Sequence, residues 1–231
     1  MAAGCAGSSL AWTAVLYSGA VSGSPTLSDT TTRLTLEQLQ CERDDRVLFR
    51  DVSLTARAGE IWQITGANGA GKTTLLRILV GLHGFYEGRC DWWDENWRSE
   101  LLYLGHQPGV REELTPLENL RFTCALGAQS GDPMAALAAV GLRGFEDVPA
   151  AHLSAGQKRR VALARLWLDR KGVWVLDEPY TAIDQDGVAQ LDEQIQKAAD
   201  AGSLVLYTSH HQVGEGVKRL HLGKGRAEVL A

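Results

Sequence analysis

Gly66, Ala67, Asn68, Gly69, Ala70, Gly71, Lys72, Thr73 and Thr74 follow one another in the pattern G-x-x-x-x-G-K-[ST]. Such a run holds phosphate only when a strand feeds it and a helix leaves it. Both neighbours are legible. "IWQIT" ahead of it is a short apolar run with strand character, and "LLRILVGL" behind it has helical apolar spacing. The glycines between them let the backbone curl so that successive N–H groups face an anion. The following helix adds the positive end of its dipole. Lys72 is placed to reach the β- and γ-phosphates, and the Thr73 hydroxyl to ligate Mg²⁺. A glycine-rich turn that binds nothing would have no use for the Lys-Thr pair.

Around this loop strands and helices alternate. "RLTLEQLQCE" reads as an edge strand and "VLFRDVSLTA" as another, closed by the Ala58–Gly59 turn. "LLYLG", "GVWVLDEP" and "SLVLYTSHH" read as further strands, and "DGVAQLDEQIQKAADAG" as an amphipathic helix with a glycine stop. That order predicts an α/β fold with a mainly parallel sheet and helices on its faces. From about residue 108 to 160 strand signals disappear. "TPLENLRFTCALG", "DPMAALAAVGL" and "SAGQKRRVALARLWL" are helix-like, which predicts a helical subdomain carried on the core of a domain spanning 33–231.

The chain has 231 residues, 45% of them hydrophobic and 22% charged, enough for one sizeable domain or a core with a subdomain. A net charge of −5 counts against a nucleic-acid partner, which a basic face or stripe would announce. The run Lys158–Arg159–Arg160 is read as a solvated helix face or a partner contact. Cys5, Cys41, Cys90 and Cys124 are scattered without C-x-x-C spacing, as reduced thiols are. No stretch approaches the ~18 apolar residues that span a bilayer, so work at a membrane would need another subunit to hold the chain there. Residues 1–32 lack Lys and Arg. Within them "LAWTAVLYSGAV" is like the apolar part of a signal peptide without its charged start, and a disordered extension or a start assigned too far upstream is expected.

Other segments complete the site. Asp177 ends a buried strand, the position where ligands bind in open parallel sheets. It is a candidate Mg²⁺ ligand, and Glu178 beside it a candidate to polarise the attacking water. Gln107 follows "LLYLG", where its amide could bind metal or water. His210 follows "SLVLYTS", with His211 an immediate competitor for a hydrogen bond to the γ-phosphate. Ser154, Ala155 and Gly156 open a second helix at its capping positions, some 80 residues from the first such start. One triphosphate held by one chain does not need both. A symmetric pair does, if each copy caps the nucleotide of the other.

Taken together these residues resemble an ABC-transporter ATPase over about 33–222. Gly66–Thr74 is similar to the Walker A loop, Gln107 to the Q-loop, and Leu153–Gln157 to the signature, with Ala155 where glycine is common. Val173–Glu178 is similar to Walker B, Thr181–Asp184 to the D-loop and His210 to the switch histidine. "CERDDRVLF", "LLYLGHQPGVREELTPLENL" and "LDEPYTAID" resemble, more narrowly, the ATP-binding subunits of cytochrome c maturation haem exporters. Many ABC ATPases stack an aromatic residue on adenine ahead of "DVSL". Arg43 stands near that place, and its guanidinium plane also stacks on rings.

The resemblance implies a P-loop NTPase core with a helical subdomain, working as a homodimer with two ATP–Mg²⁺ at its interface. Lys72 and the loop amides would neutralise phosphate charge, while Thr73, Asp177 and Gln107 would hold Mg²⁺. Glu178 would act on the water and His210 on the γ-phosphate. Ser154, Gly156 and Gln157 of the second copy would cap the nucleotide, with Asp184 at the dimer contact. Implied partners are the membrane subunits CcmB, CcmC and CcmD, and indirectly the haem chaperone CcmE, at the cytoplasmic face of the bacterial inner membrane. Export of another small molecule or lipid is the alternative within the same family.

Overall fold

The computed structural model describes residues 31–43, 46–127, 131–168, 171–223 and 227–230. The reading of residues 1–32 as an extension therefore lies outside the described residues, except that Thr32 already opens a strand.

Two sheets share the molecule. Strands β1 (Thr32–Arg43), β2 (Arg46–Arg57) and β4 (Glu87–Trp92) form an antiparallel sheet in the order β2-β1-β4. The strand β1, expected at an edge, thus lies in the middle. The third partner is "EGRCDW", whose half-exposed and largely charged face gives no strand signal of its own. The second sheet runs β5-β6-β7-β3-β8-β9, built from β3 (Ile61–Gly66), β5 (Leu101–Leu104), β6 (Val173–Asp177), β7 (Leu204–Thr208), β8 (Lys218–Leu222) and β9 (Ala227–Leu230). All its pairings are parallel except the closing β8–β9 pair.

The helices are α1 (Lys72–Leu79), α2 (Pro116–Gly127), α3 (Pro133–Ala139), α4 (Ala155–Ala164) and α5 (Gln185–Asp200). Strands β6 and β7 are buried at every position, and apolar up to their final Asp177 and Thr208, because helices or sheet cover both their faces. The period of two divides their side chains cleanly. Val173, Val175, Leu204 and Leu206 pack with α1 and the antiparallel sheet, through Leu75, Leu76, Leu36 and Val52. Trp174, Leu176, Val205 and Tyr207 pack on the opposite face with Leu163 of α4 and with Leu191 and Ile195 of α5.

Helices α2, α3 and the inner face of α4 gather around a separate cluster that includes Leu117, Leu120, Leu137, Leu142 and Val161. Helix α4 therefore belongs to two apolar clusters at once. Gln63 is the polar exception within β3. It is 3% exposed, and its amide nitrogen donates to Ser209 O at 2.9 Å and His211 O at 3.0 Å. It ties the loop beyond β7 to the central strand.

Candidate functional site

The phosphate loop connects β3 to α1 with glycines that no larger residue replaces easily. Gly66 has φ 143°, and a Cβ there would lie 2.5 Å from Leu222 O. Gly71 caps α1 at φ 95°, with a hypothetical Cβ 2.9 Å from the Phe49 ring. Helix α1 has no acidic residue in its first turn, so nothing there opposes an incoming anion. The Lys72 ammonium folds back and donates to Gly66 O at 2.9 Å and Ala67 O at 3.4 Å. Lys72 is thus held over the loop by its own carbonyls, which phosphate oxygens would outcompete as stronger acceptors.

Parallel pairing of β6 between β5 and β7 carries Asp177 to the C-terminal edge of the sheet beside α1. Its Oδ1 accepts from Thr208 Oγ1 at 2.8 Å and from Thr73 Oγ1 at 3.2 Å. Its Oδ2 is buried without a hydrogen-bond donor. A buried carboxylate oxygen left unpaired is costly. A hydrated Mg²⁺ next to Thr73 would relieve it, so the donor set fits that ion: a hydroxyl, a carboxylate and phosphates rather than a protein cage. Among the described residues no group of three or more His, Cys, Asp or Glu side chains is placed to hold a metal by itself.

Glu178 takes φ 50°, an unusual value for a non-glycine residue. Its N–H donates to Thr208 Oγ1 at 2.8 Å, and its carbonyl accepts from Arg159 at 2.7 Å. Held from both sides, it lines a cavity of about 410 Å³ together with Asn68, Gly69, Lys72, Thr73 and His106. Arg43 and Leu48 also line that cavity. Arg43, the sequence candidate for a base platform, thus lines the same cavity as the phosphate loop.

The reading of Lys158–Arg159–Arg160 as a solvated face is corrected. Arg159 is buried, with its guanidinium donating to Gly105 O at 3.1 Å, Asp177 O at 3.0 Å and Glu178 O at 2.7 Å. Burial lowers its pKa from the usual arginine value, while Asp177 and Glu178 oppose the shift. Arg160 reaches Asp184 Oδ2 at 2.7 Å and Val140 O at 3.2 Å, and Lys158 pairs with Glu112 at 2.5 Å. Three adjacent cations look like a charge run in sequence. The helix turns them about 100° apart, each toward a different acceptor.

Ser154 is the N-cap of α4 in a complete capping box. Its hydroxyl accepts from Gln157 N at 3.1 Å, and Gln157 Oε1 accepts from Ser154 N at 2.9 Å. Gly156 packs on the 181–184 turn, where a Cβ would stand 3.2 Å from Ala182 O. Asp184 caps α5, accepting from Gly187 N at 3.0 Å. That backbone bond, with Arg160 beside it, holds its carboxyl below the usual range.

Two sequence candidates stand apart from the loop. Gln107 is exposed after β5 and outside the cavity, whose wall takes its neighbour His106 instead. His210 is exposed at the end of β7. Its competitor His211 is engaged elsewhere, bonded to Asp192 Oδ2 at 2.8 Å. Thr208, Gln63 and Arg159 were missed because a threonine, a glutamine and one arginine of a basic run carry no sequence signal for long-range contacts.

Residues 49–181 match the family model described as ABC transporter. The cytochrome c biogenesis ATP-binding export protein CcmA of Alcanivorax borkumensis is 80% identical over 198 residues, covering 86% of this chain and 91% of that protein. The Escherichia coli protein of the same description is 47% identical over 204 residues, covering 84% and 98%. Among solved structures, an ATP-binding subunit of an ABC transporter superposes with a TM-score of 0.74 at 23% identity, over 86% of this chain and 90% of that one. A dimeric post-hydrolysis ATP-binding cassette bound to ADP and Pi gives 0.71 at 21% identity, over 86% and 99%. At those identities the two structures speak for the fold alone.

Proposed function

The chain belongs to the ABC-transporter ATPase family, and from that premise we propose that it is the ATP-hydrolysing subunit of a haem-export complex for c-type cytochrome biogenesis. In this reading it powers release of a haem-loaded chaperone at the inner membrane. The observation that carries the proposal is the 80% identity to a cytochrome c biogenesis export ATPase over 91% of that protein's length, in a chain whose phosphate loop and Glu178 line one cavity.

ATP enters with its phosphates on the 66–74 loop, where Lys72 exchanges its carbonyl partners for phosphate oxygens. Thr73 and Asp177, with Gln107, would hold Mg²⁺, which would supply neutralisation of the phosphate charge. Arg43 and Leu48 offer the base a wall. Glu178, fixed by Thr208 and Arg159, accepts a proton from the attacking water. His210, with no partner among the described residues, is the histidine left to donate to the γ-phosphate. Ser154, Gly156 and Gln157 of a second copy would close the site, and Asp184 would lie near that contact.

No helix among the described residues is long and apolar enough to cross a membrane. Attachment to the cytoplasmic face of the inner membrane would pass through partner subunits, CcmB and CcmC first and CcmD with them, with CcmE served indirectly. The surface around Gln107 and the helical subdomain would meet them; beside it a groove of about 580 Å³ between β5 and α2 sets Leu101 and Phe122 among Arg98, Arg111 and Lys171.

The test is deletion of the gene, haem staining for c-type cytochromes, and complementation by wild type or Glu178→Gln. Loss of c-type cytochromes restored only by wild type is the expected result. Normal c-type cytochromes in the deletion strain, with no second copy of the gene, would remove the haem assignment.

A further inference from the structure

Asp192 lies on α5, away from the phosphate loop, and no motif includes it. Its two carboxylate oxygens are taken by two different loops. Oδ1 accepts from the Tyr180 hydroxyl at 2.6 Å, and Oδ2 from His211 Nε2 at 2.8 Å. A carboxylate only accepts, so the His211 ring carries its proton on Nε2. Tyr180 and His211 also touch each other, with ring centroids 4.5 Å apart. Tyr180 stands two residues beyond Glu178, and His211 is the neighbour of His210.

The surroundings brace both ends. Tyr180 and Tyr207 meet edge to face with ring centroids 6.2 Å apart, and the Tyr207 hydroxyl accepts from Val213 N at 3.2 Å, past the histidine pair. His211 N donates to Ser209 Oγ at 2.9 Å, and Gln63 holds the carbonyls of Ser209 and His211. Tyr180 is pushed well above the usual tyrosine pKa by burial and by the hydrogen bond to Asp192, so its hydroxyl stays a donor. His211 cannot serve the nucleotide through Nε2 while Asp192 holds it. That leaves His210 facing out of the loop.

We propose that Asp192, Tyr180 and His211 form a positioning clamp that fixes the loop of Glu178 relative to the loop of His210. The clamp rests on the reading that these two residues act on the water and the γ-phosphate. It sets their spacing and touches neither phosphate nor metal. Its consequence falls on the chemical step and not on ATP binding, because the phosphate loop that binds ATP makes none of these contacts.

The experiment uses the complex isolated from membranes through a tag on this chain, with Mg-ATP turnover measured for Tyr180→Phe, Asp192→Asn, His211→Phe and the Tyr180→Phe/His211→Phe pair. Asparagine keeps the shape and one acceptor oxygen, while the phenylalanines keep the ring contact and lose the donors. For Asp192→Asn, kcat is expected to fall roughly tenfold to a hundredfold, with KM for ATP within about twofold. The double variant is expected to cost much less than the product of its two single effects, since both act through one carboxylate. An unchanged kcat for Asp192→Asn overturns the clamp. So does a lowered melting temperature with unchanged kcat per folded molecule. Glu178→Gln serves as the control: if it turns over ATP as fast as wild type, the reading of the site fails, whatever the clamp variants do.

Discussion

Along α4, Arg159 points inward and its neighbour Arg160 outward. The inward one satisfies the carbonyls of Gly105, Asp177 and Glu178 where β5 and β6 end. These carbonyls lie at or just beyond the strand ends, and the guanidinium fork supplies them with charged donors. Arg159→Met keeps most of the volume and strands the carbonyls. It is expected to cost about 2–3 kcal/mol of stability, measured by urea unfolding, and to slow ATP turnover more than it weakens ATP binding. Unchanged stability would mean that water reaches the strand ends and that Arg159 is dispensable there. The 158–160 run shows the limit of composition at this scale: charge is legible in sequence, but the direction of a side chain is not.

At the scale of elements, caps and turn locks decide where helices and strands stop. The capping box of Ser154 and Gln157 starts α4, and "LSAGQ" announces it, since its spacing is local. Ser154→Ala is expected to cost about 1 kcal/mol of stability and, if the same residue caps a second copy's nucleotide, to cut ATP turnover well beyond that. A turnover loss no larger than the unfolded fraction would limit Ser154 to the cap.

The turn from β2 into β3 is locked by Glu60. Burial alone would raise its pKa, but hydrogen bonds from Lys218, the Trp62 indole and Arg57 N together hold it below the usual range. A folded-state pKa below the unfolded one contributes stability that is present above the unfolded value of about 4.3. It is lost as pH falls through the folded value. Urea midpoints of the wild type should therefore drop more between about pH 5 and pH 3 than those of Glu60→Gln. Parallel pH dependences for the two proteins would assign that loss to other carboxylates.

At the scale of the whole molecule, the proposed function gives each copy half of two closing surfaces, and that has a consequence for assembly. With saturating Mg-ATP, Glu178→Gln is expected to sediment as a dimer, and adding Lys72→Ala to return it to monomer. A Glu178→Gln protein that stays monomeric under those conditions would remove the shared-site arrangement.

The sequence determined by itself what depends on neighbours along the chain. The loop 66–74, the strand that ends in Asp177, the cap at Ser154 and the alternation behind a parallel sheet are all local patterns of three to nine residues, and the fold repeats them faithfully. The tertiary structure alone decided what depends on residues far apart in the chain. It put β1 in the middle of its sheet by pairing it with a strand of weak pattern, turned Arg159 inward, gave Gln63 to the loop after β7, and separated His210 from His211 through Asp192. Each of those outcomes rests on a hydrogen bond or strand pairing that spans at least 18 residues. Such a contact forms only after packing has brought its partners together, so no local pattern encodes it.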